Sequence, residues 1–172
     1  MPIHIERDFK EFVELLNAHE ARYLVVGGYA VNYHGYPRYT KDIDFWIWLS
    51  ESNAERMLKV ISDFGFSKMG FELEDFLNPG TIIQFGREPK RIDLILDLSG
   101  LDFEECYNRK EAIDLNGITV NFIGFYDLIE AKKRAGRLQD LADAGELTKL
   151  KEEQRKVEEG SAALPQLKKK RK

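Results

Sequence analysis

The sequence predicts an α+β fold in which a short mixed sheet is flanked by helices and followed by a helical C-terminal extension. Short apolar runs typical of strands share the chain with longer stretches of helical spacing. The two kinds of element are mixed along the chain rather than strictly alternating, which favours α+β. Residues 42–49 carry apolar side chains on both faces, which predicts a central strand covered on each side.

The first half of the chain predicts five elements from apolar periodicity and from residues that begin or end helices. The doublet Gly27-Gly28 separates a buried strand from a brief helix whose N-terminus lies at the glycines. The predicted elements are a helix over 5–20, a strand over 23–26, a helix over 29–34, a strand over 42–49 and a helix from Ser50 to near Gly65.

The second half predicts a β-rich stretch followed by helices. Residues 91–98 alternate between apolar and polar side chains, as in a strand with one buried face. Asn116-Gly117 is a typical two-residue hairpin turn. The predicted elements are strands over 81–85, 91–98, 112–115 and 118–122, then two helices from Phe125 onward that Gly136 separates.

Composition describes one globular domain, since 172 residues with 43% hydrophobic and 33% charged residues can form a core. We expect residues 1–150 to form this domain, and residues 151–172 to form a charged helix end and a basic, partly disordered tail. The single cysteine is Cys106, so no intramolecular disulfide is possible. With no apolar signal segment and no run of ~20 apolar residues, the sequence predicts a cytoplasmic protein.

Charge is unevenly distributed along the chain. The net charge is −4, although residues 168–172 contribute five positive charges, so the remainder is more acidic than the total suggests. An acidic body argues against binding along a nucleic-acid duplex, which requires many Lys and Arg contacts to phosphates. It leaves room for a basic pocket or tail that binds a short acceptor.

Asp42 and Asp44 are the most informative residues of the sequence. They flank one apolar residue at the start of a predicted strand, and side chains at i and i+2 share a face, about 7 Å apart along the backbone. Carboxylates so placed can hold a hard cation such as Mg²⁺ or Mn²⁺, which prefers oxygen ligands. The structural alternative, acids that protect an edge strand, does not explain why the same strand contains two tryptophans.

Two further features indicate phosphate chemistry. Gly27-Gly28 ends an apolar strand and offers flexible backbone with N–H groups for a phosphate chain. Asp93 lies on a second apolar strand, and three carboxylates from adjacent strands suit a two-metal site for displacement at phosphorus. In such a site Asp93 can also take the proton from the attacking hydroxyl. Asp97 shares the predicted face and is the second choice, and a salt bridge to Arg91 or Lys90 is the structural alternative for Asp93.

These motifs resemble the nucleotidyltransferase superfamily that is related to DNA polymerase β. Its pattern is a Gly-Gly or Gly-Ser turn, an Asp-x-Asp pair roughly a dozen residues later and a third acidic residue. The sequence is similar in particular to a small bacterial and archaeal branch that includes the AbiEii-type toxins of toxin–antitoxin systems. This similarity covers most of residues 23–145. It rests on Gly27-Gly28, His34-Gly35, Arg38, Thr40, Asp42-Ile43-Asp44, Asp93, Asp127-Leu128, Lys132, Gly136-Arg137, Asp140-Leu141 and Asp143.

The resemblance implies a minimal nucleotidyltransferase fold and transfer of a nucleoside monophosphate (NMP) from a nucleoside triphosphate (NTP) to a hydroxyl, with release of pyrophosphate. It implies that Lys132 contacts triphosphate oxygens and that Asp140 orients Lys132, Arg137 or the nucleotide. Related sequences often have proline after this arginine, whereas this chain has Leu138. The predicted catalytic and metal-binding residues are Asp42, Asp44 and Asp93, and the predicted nucleotide-binding residues are Gly27, Gly28, Arg38, Thr40, Lys132 and Asp140.

The predicted function is therefore an Mg²⁺- or Mn²⁺-dependent nucleotidyltransferase that acts on a macromolecular acceptor, tRNA or protein, in a toxin–antitoxin or defence setting with a cognate partner. Three alternatives remain at this point. The acceptor is a small molecule such as an antibiotic; the chain is a non-catalytic antitoxin or binding protein of the same fold; or the Asp-x-Asp pair serves a glycosyltransferase, which the short chain and the glycine doublet disfavour.

Overall fold

The computed structural model describes residues 6–170, with side chains up to residue 162, and its centre is a six-stranded mixed sheet. Across this sheet the third and fourth strands of the chain lie on one side of the second, and the first, sixth and fifth follow on the other. Both parallel and antiparallel pairs occur, as predicted. In chain order the strands are β1 (Tyr23–Val26), β2 (Asp42–Ile47), β3 (Ile82–Phe85), β4 (Arg91–Ile95), β5 (Glu111–Leu115) and β6 (Ile118–Phe122).

Helices flank the sheet and extend beyond it at the C-terminal end, which confirms the predicted α+β class. Short π- and 3₁₀-helical turns connect the third helix to β3. Within residues 6–170, no helix has the length and apolarity that a membrane crossing requires. The α-helices are α1 (Arg7–Ala18), α2 (Gly27–Tyr33), α3 (Glu51–Ile61), α4 (Phe103–Asn108), α5 (Phe125–Ala135) and α6 (Leu138–Lys170).

The central strand β2 is covered on both faces, as its apolar pattern predicted. On one face Phe45 contacts Phe12 of α1, with ring centroids 5.2 Å apart. On the other face Trp46 packs edge-on against Phe103 of α4 at 5.0 Å. All four side chains are buried, and burial of each stabilises the fold by about 1.5–3 kcal/mol. Because these contacts hold β2 from both sides, the polar residues at its N-terminal end have a fixed position.

Most predicted elements differ by a few residues in their bounds, and three of these differences lie next to predicted site residues. The strand predicted over 42–49 ends at Ile47, and the strand predicted over 91–98 ends at Ile95. Apolar alternation continues past Ile95, but Ser99 and Gly100 adopt positive φ angles and turn the chain away from the sheet. The helix predicted over 29–34 begins at Gly27, so the glycine doublet forms its first turn.

Gly136 separates α5 from α6, as predicted. It adopts the left-handed conformation, with φ of 72°, and its N–H donates to the carbonyl oxygen of Lys132 at the end of α5. Leu138 is the first residue of α6 and is 89% exposed. A proline would fit at this position because the first turn of a helix needs no N–H donor there. The side chains of the predicted basic tail, residues 168–172, lie outside the described part of the chain.

Asn53 links three elements through its buried amide. Its Oδ1 accepts a hydrogen bond from the Arg22 N–H at 2.8 Å, and its Nδ2 donates to the carbonyl oxygens of Arg22 and Trp48 at 3.1 and 2.9 Å. These bonds join the N-terminus of α3 to the chain before β1 and after β2. Asn53 therefore pairs the Arg22 N–H and the Trp48 carbonyl oxygen, and it is a second donor to the Arg22 carbonyl oxygen, which also accepts from the Trp48 N–H at 3.2 Å.

We expect Asn53→Ala to lower the free energy of unfolding by about 2–4 kcal/mol, because the backbone partners of a buried amide lose their hydrogen bonds. Urea denaturation followed by circular dichroism measures this difference. Glu55→Ala, on the exposed side of the same helix, is the matched control and should change stability by no more than about 0.5 kcal/mol. Equal effects of the two substitutions would contradict the role of Asn53.

Candidate active site and metal centre

Three carboxylates meet on one face of the sheet, toward the N-terminal ends of the neighbouring inner strands β2 and β4. In the parallel pair of β2 and β4, Asp44 lies opposite Asp93 and Asp42 lies opposite Arg91. One oxygen from each of Asp42, Asp44 and Asp93 lies within 4.8 Å of the others. Asp93 is buried, and the other two are half-buried. The structure thus brings together the three acids that the sequence singled out.

Asp97 lies apart from this cluster. The strand ends before it, its side chain is exposed, and its Oδ1 accepts a hydrogen bond from the Gly100 N–H at 3.3 Å. This turn contact explains the residue without a role in metal binding. Between the two candidates on this segment, the geometry places Asp93 at the site.

Burial and mutual repulsion both disfavour the ionised forms of the clustered carboxylates. Burial raises the pKa of the Asp44 carboxyl to about 7, with further upward contributions from the charges of Asp42 and Asp93. Burial and the charge of Asp93 also raise the pKa of Asp42. A divalent cation removes both costs because it attracts all three carboxylates and replaces lost hydration. Three hard oxygen donors within 4.8 Å fit Mg²⁺ or Mn²⁺, which identifies the cluster as a candidate metal centre.

Arg91 is a component of this site that the sequence predicted only as an ion-pair partner of Asp93. Its Nε donates to Asp93 Oδ1 at 2.8 Å, and its Nη2 donates to Asp42 Oδ2 at 2.7 Å. Its position explains both contacts. Arg91 precedes Asp93 by two residues on the same strand face, and it lies opposite Asp42 across the parallel pair. Only the second relation depends on strand pairing, which the sequence does not show.

Gly27 and Gly28 lie so close to neighbouring side chains of the site that a larger residue at either position would overlap them. A Cβ atom on Gly27 would lie 2.9 Å from Cγ of Asp44 and still closer to its Oδ2, and the φ angle of Gly27 is +67°. A Cβ on Gly28 would lie 2.6 Å from Oγ1 of Thr40. Thr40 in turn donates a hydrogen bond to the carbonyl oxygen of Asp42 at 3.0 Å. The glycines therefore let α2 contact the strand that carries the acids.

A group of cationic side chains lines the same cleft as the carboxylates and is held by two acids of α6. Lys132 Nζ lies 3.2 Å from Asp140 Oδ1 and 3.1 Å from Asp143 Oδ2. Arg137 Nε donates to Asp140 Oδ2 at 2.7 Å. Arg38 Nε and Nη2 donate to the two oxygens of Asp143, both at 2.9 Å. We call Arg38, Lys132 and Arg137 the cationic group.

The acids that hold the cationic group are ionised in the folded protein. Burial alone would raise the pKa of Asp143, but hydrogen bonds from Arg38 and Gln139 and the charge of Lys132 outweigh it and lower the pKa below its ordinary value. The pKa of Asp140 is lowered in the same way, by Arg137 and Lys132 against burial. Asp143 is fully buried, so its ion pairs with Arg38 and Lys132 contribute to the packing of α6 as well as to the charge balance of the site.

Both groups of charges line one cleft of about 680 Å³. All nine predicted site residues line this cleft, and so does Arg137 of the cationic group. Arg38 lies at this cleft with its Nε and Nη2 on Asp143, and its Nη1 donates to the carbonyl oxygen of Tyr39 at 3.2 Å. The sequence also did not indicate Tyr39, whose side chain at the cleft is 73% exposed.

The chain shares its fold with a solved structure from Thermotoga maritima that is described as a "putative nucleotidyltransferase". The two superpose with a TM-score of 0.56 at 17% sequence identity, over 87% of this chain and 97% of the other. The chain therefore has a nucleotidyltransferase fold. No protein-family model and no curated protein matches the sequence.

We expect Gly28→Ala to destabilise the protein by about 1–3 kcal/mol, because the added Cβ overlaps Thr40. Thr40→Gly in the same chain removes the overlapping atoms, so the double variant should be more stable than the sum of the single effects indicates. Gly145→Ala is the control, because a Cβ there has no neighbour within 4 Å. Urea denaturation of the four variants measures the coupling, and additive effects would contradict the packing described.

The ion pairs of Asp143 predict a dependence of stability on acid. Because the folded pKa lies below the ordinary 3.8, their stabilisation is present above that value and is lost as the pH falls through the folded pKa. The free energy of unfolding should therefore fall as the pH drops below about 4, and less steeply in Asp143→Asn than in the wild type. Urea denaturation across this pH range measures both slopes.

At pH 7 the same substitution should cost about 3–5 kcal/mol, because it leaves buried cations without their partner. Glu146→Gln makes an equal charge change at an exposed position of α6 and serves as the control. If the two variants had the same stability at pH 7, the buried ion pairs would not contribute.

Proposed function

We propose that the chain is a metal-dependent nucleotidyltransferase that transfers NMP from an NTP to a hydroxyl group and releases pyrophosphate. The observation that supports this most strongly is the cleft, which a carboxylate cluster and an anchored cationic group line together. A metal-bound triphosphate is complementary to both, because its cation meets the carboxylates and its phosphates meet the cationic side chains. The shared fold supports the same activity.

The acidic residues divide the chemistry between them. In this proposal Asp42 and Asp44 bind the cation on the triphosphate, and Asp93 helps to bind a second one and accepts the proton of the attacking hydroxyl. A bound Mg²⁺ or Mn²⁺ would polarise the phosphate and neutralise developing charge. Thr40 fixes the backbone of Asp42 through its hydrogen bond, and Gly27 leaves room for the Asp44 carboxylate.

The cationic residues bind and orient the triphosphate. Lys132 is buried and held by two carboxylates, so its position is fixed before the nucleotide enters. Arg137 has an 80% exposed side chain with one end fixed on Asp140, which leaves donors for phosphate oxygens. Arg38 is engaged by Asp143 and positions α6 over the cleft. Preformed contacts of this kind lower the entropy cost of orienting a substrate.

The acceptor in this proposal is a macromolecule, tRNA or protein, and the setting is a toxin–antitoxin or defence system of the AbiEii type with a cognate partner. The edge of the cleft supports a large acceptor, because exposed Tyr39 and Ile82 lie there beside exposed Lys41. An exposed aromatic ring next to a cation suits stacking on a base or packing on a protein surface.

Transfer of α-³²P label from each NTP, with Mg²⁺ or Mn²⁺, to the components of a cell lysate tests the proposal. We expect labelled RNA or protein with the wild type and background with Asp44→Asn, because the variant loses a metal ligand. Asp44→Asn should stay folded without metal, since loss of its charge relieves repulsion within the cluster. Asp97→Asn makes the same charge change outside the cluster and should retain transfer.

Three outcomes would change the proposal. Wild-type transfer by Asp44→Asn would show that the metal site is assigned wrongly. Label on a small molecule in place of RNA or protein would change the acceptor class. Absence of transfer with every nucleotide, together with a tight protein partner, would favour a non-catalytic antitoxin or binding protein.

A further inference from the structure

Arg91 occupies the position between two of the candidate metal ligands. Its Nη2 donates to Asp42 Oδ2 at 2.7 Å and to Asp93 Oδ2 at 3.0 Å, while its Nε donates to Asp93 Oδ1 at 2.8 Å. One guanidinium therefore binds three of the four oxygens of these carboxylates. Asp42 and Asp93 are also two of the three carboxylates of the candidate metal centre, so the guanidinium and a metal ion would draw on the same two side chains.

A guanidinium and a divalent cation cannot both bind these oxygens at full strength. Hydrogen bonds to the guanidinium occupy carboxylate lone pairs that a metal ion would otherwise use, and two cations within a few ångströms repel each other. Without a metal, however, the cluster needs a counter-charge because its carboxylates repel one another. Arg91 meets that need.

We propose that Arg91 is the resident counter-cation of the carboxylate cluster, displaced when a divalent cation binds and then available to the phosphates of the nucleotide. This inference rests on the metal site of the proposed function. It adds that the metal and the nucleotide bind cooperatively, because the nucleotide provides the anionic partner that Arg91 loses to the metal.

The surroundings of Arg91 allow this movement. Its Nη1 already lies 3.4 Å from Glu88 Oε1, so a second anionic partner is within reach. Gln84 Nε2 donates to Asp93 Oδ2 at 3.4 Å and holds that carboxylate when the guanidinium moves. The Arg91 side chain is 27% exposed at the cleft, where its planar fork can contact phosphate oxygens.

Mn²⁺ binding to the nucleotide-free protein, measured by electron paramagnetic resonance and calorimetry, tests the inference without any turnover. We expect Arg91→Gln to bind Mn²⁺ about tenfold or more tightly than the wild type, because the resident competitor is gone. Lys41→Gln is the matched control. It removes one positive charge at the same cleft, but Lys41 pairs with Glu88 and is 59% exposed, so its effect should stay within about twofold.

Two further measurements distinguish competition by Arg91 from a folding defect of the Arg91→Gln variant. Arg91→Lys keeps the charge but cannot span both carboxylates, so its affinity should lie between those of the wild type and Arg91→Gln. A non-hydrolysable NTP analogue should tighten Mn²⁺ binding to the wild type by about fivefold or more, and should tighten binding to Arg91→Gln less.

The outcomes separate this inference from the proposed function. Equal Mn²⁺ affinity in Arg91→Gln, Lys41→Gln and the wild type would overturn the role of Arg91 and leave the metal site intact. Failure of all variants to bind Mn²⁺, with or without the analogue, would overturn both the role of Arg91 and the metal site. Label transfer then decides independently whether the chain is an enzyme.

Discussion

The parallel pairing of β2 with β4 is the contact on which the site depends. It places Asp44 opposite Asp93 and Arg91 opposite Asp42, so one register determines both the carboxylate cluster and its internal counter-charge. A shift of one residue would turn the acids to the opposite face of the sheet. The aromatic contacts of Phe45 and Trp46 on the two faces of β2 hold this register, which links the hydrophobic core directly to the chemistry.

The cationic group is positioned by contacts with α6 rather than by strand register. Its members come from the loop before β2, from α5 and from the link between α5 and α6, and they meet because two buried acids of α6 bind them. The cost of burying these acids is offset by several hydrogen bonds to each, which keeps them ionised. The sheet therefore positions the metal-binding carboxylates of the site, and the packing of α6 positions its cationic group.

The sequence predicted the fold class and the acidic residues because both depend on local patterns. Strand alternation marked Asp42, Asp44 and Asp93, and the left-handed glycine at 136 marked the end of α5. Relations between distant elements were not predictable in this way. The alternation of 91–98 gave no sign that the strand ends at Ile95, since a turn at Ser99 and Gly100 decides it.

The sequence also did not predict the ion pairs between residues that are far apart in the chain. The contact of Arg91 with Asp42 requires knowledge of which strands are neighbours, and the engagement of Arg38 by Asp143 joins residues 105 positions apart. The glycine doublet was predicted as a flexible phosphate loop, whereas its immediate reason in the structure is contact with Asp44 and Thr40.

That contact makes position 44 selective for length as well as for charge. The Asp44 carboxylate fills the space where a side chain of residue 27 would stand, so backbone and carboxylate are already in contact. Glutamate has the same charge and the same affinity for hard cations, but its extra methylene would press against Gly27 or turn the carboxylate away from Asp42 and Asp93. At this position chemical similarity is therefore no guide to tolerated variation, and the shorter acid is the one that the fold accommodates.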